Sequence, residues 1–257
     1  MKYHLDTIPV WDAYKEDTEC PFCVLENRVE TSYVDSFLGG SVMEPDVRIA
    51  VNKKGFCPAH NKLLYQAQNR LGLALITHTH TLETIKKMNE RISKLQKTAH
   101  NSKNSVLKKF NLFNRKSIIG GASLKQSIQS FSDWLRIHHK QCIICDRIDY
   151  SLNRYAYTLM HLWEHDKEFQ DSFSKSKGLC FSHLPVVLDM AAECLNSTKL
   201  AKFLQTLLPL QMENMDRLEK ELLWFTQKFD YRNQDKPWGS SKDALPRILQ
   251  KLTGKYM

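Results

Sequence analysis

Apolar residues recur at helical rather than alternating spacing along almost the whole chain. The pattern predicts a helix over about 21–37, directly after a first Cys-x-x-Cys pair, and a short one opening at Met43-Glu44-Pro45-Asp46. Pro45 suits a first helical turn, its acidic neighbours suit the positive end of the helix dipole, and Gly55 suits the stop. Pro58 predicts the start of a long helix reaching about residue 97, with Leu63, Leu64, Leu71, Leu75, Leu82 and Ile85 as its apolar positions and a bend at Gly72. The second half repeats the order: a helix after Cys145, a short helix ending near Gly178, and a helix from Ser182. A further long helix spans about 198–229, with a stripe of Leu200, Phe203, Leu204, Leu207, Leu208, Met212 and Met215. Asp235-Lys236-Pro237-Trp238-Gly239 reads as a turn before a tail helix at about 243–252. No alternating strand or Asn-Gly hairpin signal competes, so the expected class is all-α.

The cysteines show that this repetition is a duplication. The first half carries C-P-F-C and then G-F-C-P-A-H; the second carries C-I-I-C and then G-L-C-F-S-H. The offset from Cys20 and Cys23 to Cys142 and Cys145 is 122, and from Cys57 and His60 to Cys180 and His183 it is 123. Four chemically special residues repeated at one offset, with one residue of slack, define an internal repeat. Six of the seven cysteines fall inside it.

This residue set has the chemistry of a metal site. Two residues between ligands let one tight turn aim both side chains at one point, and two such pairs close the tetrahedron that zinc prefers. The glycine two residues before Cys57 and Cys180 lets the chain turn in without a Cβ clash. A helix starting at each Cys-x-x-His favours thiolate over thiol. The expectation is two structural zinc ions, held by Cys20, Cys23, Cys57 and His60 and by Cys142, Cys145, Cys180 and His183. The spacing also leaves open an arrangement with pairs exchanged between halves. Thiol–disulfide exchange, an iron–sulfur centre and structural disulfides are the competing chemistries.

Composition adds the class and a charge asymmetry. The chain has 257 residues, 42% hydrophobic and 25% charged, which is an ordinary globular composition long enough to bury a core. No apolar run approaches the length of a membrane span, and the N-terminus shows no secretory signal pattern. Cytoplasmic location, with reduced thiols, is the expectation. The net charge is +9, and Arg91 to Ser132 holds nine Lys/Arg with no Asp or Glu, so this segment accounts for all of it. Lys108-Lys109-Phe110-Asn111-Leu112-Phe113-Asn114-Arg115-Lys116 interleaves cations and aromatics. Lys103, Lys108, Lys109, Arg115 and Lys116 are candidate anion contacts, and residues 91–125 a candidate surface for an acidic protein or nucleic acid. The core of the segment, about 100–122, reads as a long connection.

Other patterns carry less. His161-Leu162-Trp163-Glu164-His165 matches the inverted zinc-protease motif H-x-x-E-H, but the first half has no counterpart and no third ligand can be placed. His78 and His80 are two apart on a helix and do not face each other. His138-His139 reads as a rim contact beside Cys142, and Cys194 as a buried small apolar residue. No catalytic residue is singled out.

The duplicated CxxC…GxCxxH, with YHLDTIPVWDAY ahead of CPFC and the stretch GFCPAHNKLL, resembles an uncharacterised family of bacterial cytosolic proteins built on a domain of unknown function. The resemblance spans nearly the whole chain and implies no activity. The expected organisation is a first repeat over 1–98, a basic connection over 99–130, a second repeat over 131–234 and a C-terminal turn and helix over 235–257. The functional expectation is a zinc-binding, non-catalytic scaffold whose basic segment meets an anionic partner. The alternative is a thiol-based redox or metal sensor.

Overall fold

The computed structural model describes residues 4–107 and 119–254, with side chains placed for 6–101 and 123–254. Among the described residues there is no strand, and eleven α-helices carry the fold. In chain order these are α1 (His4–Lys15), α2 (Pro21–Leu38), α3 (Pro45–Lys54), α4 (Pro58–Gln66), α5 (Arg70–Leu107), α6 (Ile119–Lys140), α7 (Ile143–His165), α8 (Lys167–Lys175), α9 (His183–Cys194), α10 (Ser197–Gln227) and α11 (Ala244–Thr253). No described helix is long and apolar enough to cross a membrane.

The duplication extends to the element order. Each repeat runs as a leading helix, the CxxC pair, a helix, a short helix, the GxCxxH pair, a helix and a long helix. Thus α1 to α5 correspond in order to α6 to α10, and α11 is added.

The compact units do not follow the halves. One consists of Met1–Thr31 with Arg147–Met257, the other of Ser32–Asp146. In the first unit α1 of the first repeat packs on α8 of the second; in the other, α6 of the second repeat packs on α5 of the first. Each repeat therefore lends its leading helix and CxxC pair to the body of the other.

The core of the first unit is aromatic. Trp11 and Tyr14 of α1 meet Phe169 of α8 edge-on at 5.1 Å, and Phe173 and Trp163 meet Phe203 of α10 at 5.5 and 5.2 Å. Such pairs add about 0.5–1.5 kcal/mol each beyond area burial. Asp6 of α1 is tied to Arg154 of α7 through its Nε at 3.0 Å. The second unit buries Val47 and Val51 of α3, Leu64 of α4 and Ile76 of α5, with Phe37 edge-on to Phe56 at 5.5 Å.

Three local features differ from the sequence expectations. The chain does not run as one helix from Pro58. It breaks at residues 67–69, where Gln68 has φ 66° and the Asn69 Oδ1 accepts from the Gly72 backbone N–H at 2.9 Å to restart the helix as α5. Much of the segment expected as a connection is helical, because α5 continues to Leu107 and α6 begins at Ile119. Helix α1 has no counterpart in the sequence reading; it forms with Pro9 inside because Val10 and Ala13 are fully buried on one side.

Candidate metal centres

All eight Cys/His residues singled out by spacing gather in two places. The first cluster is Cys20, Cys23, Cys180 and His183; the second is Cys57, His60, Cys142 and Cys145. Within each, the ligand atoms lie within 4.8 Å of one another. The expected pairing inside each half is thereby replaced: each cluster takes the CxxC of one repeat and the CxxH of the other. The reason is the reciprocal packing of the leading helices, since each CxxC directly follows the helix that is lent. Each cluster keeps three cysteines and one histidine, and each lies within a single compact unit.

All four pairs sit at helix beginnings. Cys20 immediately precedes α2, Cys142 precedes α7, Cys57 is the N-terminal cap of α4, and the carbonyl of Cys180 accepts from the N–H of His183 and Leu184 at 3.1 and 2.9 Å to open α9. Each cluster therefore faces two positive helix ends, which stabilise thiolate charge. The glycines have their anticipated role. Gly55 and Gly178 have φ 67° and 76°, and a Cβ at either would collide with His80 of α5 or Gln211 of α10. Gln211 is buried, accepting from the Leu179 N–H at 2.9 Å and donating to the Leu179 carbonyl at 2.8 Å, which holds the strand of chain entering Cys180. In the second cluster the N–H of Ile143, between Cys142 and Cys145, donates to the Gly55 carbonyl at 3.0 Å and joins the two ligand loops.

The distances fit one tetrahedral ion. A zinc ion bound by sulfur at about 2.3 Å and nitrogen at about 2.0–2.1 Å sets edges of about 3.8 Å between sulfurs and about 3.6 Å between sulfur and nitrogen. In the first cluster Cys23 and Cys180 Sγ are 3.7 Å apart, and His183 Nδ1 lies 3.6, 3.6 and 3.1 Å from the sulfurs of Cys20, Cys23 and Cys180. In the second, Cys57 and Cys145 Sγ are 3.8 Å apart, and His60 Nδ1 lies 3.2, 3.2 and 3.4 Å from the sulfurs of Cys57, Cys142 and Cys145. All seven cysteines are free thiols, and these sulfur separations are far beyond a bond of about 2.05 Å.

The surroundings of the clusters differ. All four residues of the first are buried, whereas Cys57 and Cys145 of the second are partly exposed. Around the first, His183 Nε2 stands 3.4 Å from Glu26 Oε2. Glu26 lies one turn after Cys23 on α2; the sequence reading passed over it, although Cys23-x-x-Glu26 was the available signal. Lys251 of α11 is fully buried, and its Nζ donates to the Glu19 carbonyl at 2.9 Å. Burial holds its ammonium below the usual lysine value, and the nearby charges of Cys20, Glu19 and Cys180 oppose only part of that. Glu19 itself is buried and held by Arg217 at 2.6 Å and Arg247 at 3.2 Å, which anchors the chain entering Cys20.

In the metal-free protein each cluster shares out its protons unequally. Hydrogen bonds with Cys180 and Cys20, then burial, push the Cys23 thiol far up, while bonds with Cys20 and Cys23 push the Cys180 thiol down. Burial opposes charge on His183, but its bonds to Cys180, Cys20 and Glu26 raise it to about 12. In the second cluster burial raises Cys142 and Cys145; at Cys57 burial is outweighed by bonds with His60, Cys142 and Cys145, and the thiol falls below its usual value.

The remaining candidates lie elsewhere. His165 Nδ1 sits 2.8 Å from the His161 carbonyl, and Glu164 pairs with Lys199 at 2.7 Å, so the H-x-x-E-H residues are tied to their own surroundings. His80 and His138 stack at 5.7 Å between α5 and α6. Cys194 is partly exposed rather than buried, with Sγ 3.5 Å from Met190 Sδ. Lys108, Lys109, Arg115 and Lys116 lie outside the described residues, as does the side chain of Lys103, whose backbone is in α5.

An all-helical fold of two exchanged repeats with two three-cysteine, one-histidine clusters defines the class. Over residues 1–257 the chain matches the model of a family of unknown function, DUF6062, and belongs to that family. It is also 23% identical over 222 residues to an uncharacterised 23.9 kDa protein in the xynA 3′ region of Caldicellulosiruptor sp. (strain Rt8B.4), covering 86% of this chain and 87% of that protein. No solved structure matches the chain.

Proposed function

We propose that the protein is a cytoplasmic, non-catalytic scaffold whose two compact units are each closed by a structural zinc ion. The observation that carries this reading is that each cluster gathers three sulfurs and one ring nitrogen within 4.8 Å of one another, a donor set and spacing that one tetrahedral zinc ion suits. Four protein ligands leave no coordination position for a substrate or an activated water. The ligand atoms converge on one point, whereas the cysteines of an iron–sulfur cluster bind different irons. Three thiolates around a divalent ion leave one net negative charge, and the buried Lys251 ammonium offsets it at the first site. Free thiols throughout agree with a reducing compartment. The basic segment within residues 91–125, Lys103, Lys108, Lys109, Arg115 and Lys116 included, is the proposed contact for an acidic protein or nucleic acid.

One observation favours a second reading, a thiol-based redox or metal sensor: Cys57 and Cys145 of the second cluster are accessible while the first cluster is closed. Elemental analysis with a thiol count, on protein purified reduced without a histidine tag or added metal, tests the scaffold reading. It predicts two zinc per chain, with the six clustered cysteines protected until a chelator is added. Iron, or no metal with disulfides inside the CxxC pairs, would contradict it.

A further inference from the structure

Among the described residues of its own unit, none covers an apolar seam on helix α5. Leu71, Leu75, His78, Leu82 and Ile85 follow one another at steps of four, three, four and three residues. At 3.6 residues per turn they fall within an arc of about 80° on the helix surface. The four apolar members are exposed by 71%, 37%, 53% and 50%. The neighbours of α5 pack on its opposite side: Ile76 is buried, His80 stacks on His138 and meets the Asn52 carbonyl, and Arg91 lies over the Trp134 ring at 4.8 Å. The apolar face of this helix thus points outward while partly polar positions face α3 and α6.

A four-three step is the 3.5-residue repeat of a left-handed coiled coil. With Leu75 and Leu82 at a, and Leu71, His78 and Ile85 at d, the flanking e and g positions are Gly72, Thr79, Lys86, Ala74, Thr81 and Met88. Lys86 is the one charge among them. Charged flanks select a different partner; flanks this neutral encode none and bring almost no like charges together in a self-pairing. A parallel pairing would put the two His78 in one layer, whereas antiparallel layers that match a with d set each His78 against Leu75 or Leu82 of the other copy. The seam and Met88 expose about 500 Å² of side chain, so two copies bury about 1,000 Å² in total, the lower bound for a specific interface and the size of a weak, concentration-dependent dimer. An apolar stripe of this extent on a lone surface marks an interaction site.

We infer that the outward face of α5 is a homodimer interface, in which two copies of the chain pair through their Leu71–Ile85 seams as an antiparallel coiled coil.

Light scattering coupled to size exclusion, on the metal-loaded full chain over a range of concentrations, tests this. The wild-type mass should rise with concentration toward about 60 kDa, twice the 30.0 kDa chain. Leu82→Glu with Ile85→Glu should reduce it to one chain mass, with helix content and metal content unchanged. Leu71→Lys, at the most exposed seam position, is the milder second variant and should weaken the dimer at low concentration. Ile137→Glu, at a 60% exposed position of α6, should leave the dimer intact. A wild type that stays at 30.0 kDa over the whole concentration range overturns the inference, as does a dimer that survives the seam variants.

Discussion

Glu26 Oε2 lies 3.4 Å from His183 Nε2, on the side of the ring away from the sulfurs that surround Nδ1. The first helix after the first CxxC thus orients a histidine 157 positions further along the chain. A carboxylate behind a metal-bound histidine fixes its tautomer and raises its basicity.

Glu26→Gln should therefore weaken metal binding at the first cluster by about 10–100-fold. The second cluster should be unaffected, because its ligands lie in the other unit. Competition titration with a chromogenic chelator reads both sites. Unchanged affinities would make the Glu26 contact incidental.

The clusters should lose metal in a set order. Cys57 and Cys145 are partly exposed, and the first cluster is closed on all four residues. Under a competing chelator with an alkylating reagent, mass spectrometry should find Cys57, Cys142 and Cys145 labelled before Cys20, Cys23 and Cys180. The reverse order would mean that burial does not control access here.

A pH dependence should reside in the α5/α6 packing. Burial, then the neighbouring His80 and Lys87, hold His138 below the usual histidine value. The unfolded chain takes up its proton near pH ~6.5 while the folded chain does not. This contribution to stability is complete above that pH and is lost as the pH falls from it toward the folded value. Amide protection in α5 and α6, corrected for the slower base-catalysed intrinsic exchange at low pH, should fall more between pH 7.5 and 5.5 in the wild type than in His138→Asn, where the difference between the two removes any shared effect of metal loss. Identical profiles would assign the pH dependence elsewhere.

The Cys/His residues that cluster and most of the helices were legible because both follow from local rules. The two-residue spacing, the glycine at positive φ and the helix period each act over a few residues, and Gly55, Gly178, Cys57 and His60 stand where those rules put them. Pairing was not legible, because it depends on which repeat receives the helix ahead of each CxxC, and that is decided by Trp11 and Tyr14 packing on Phe169 at a distance of over 150 residues. The break after α4 rests on a non-glycine residue, Gln68, in a left-handed conformation, which carries no sequence signature. Helix α1 contains Pro9, and burial of Val10 and Ala13 outweighs the helical hydrogen bond that a proline removes.

The exchange of ligand pairs is the central claim, and metal stoichiometry in two double variants tests it most directly. Cys23→Ser with Cys180→Ser strikes one cluster twice, so one metal per chain should remain. Cys23→Ser with Cys57→Ser strikes both clusters, so neither should hold metal firmly. The opposite result, with metal lost from the first variant and one ion kept by the second, would place each site within its own half and contradict the account.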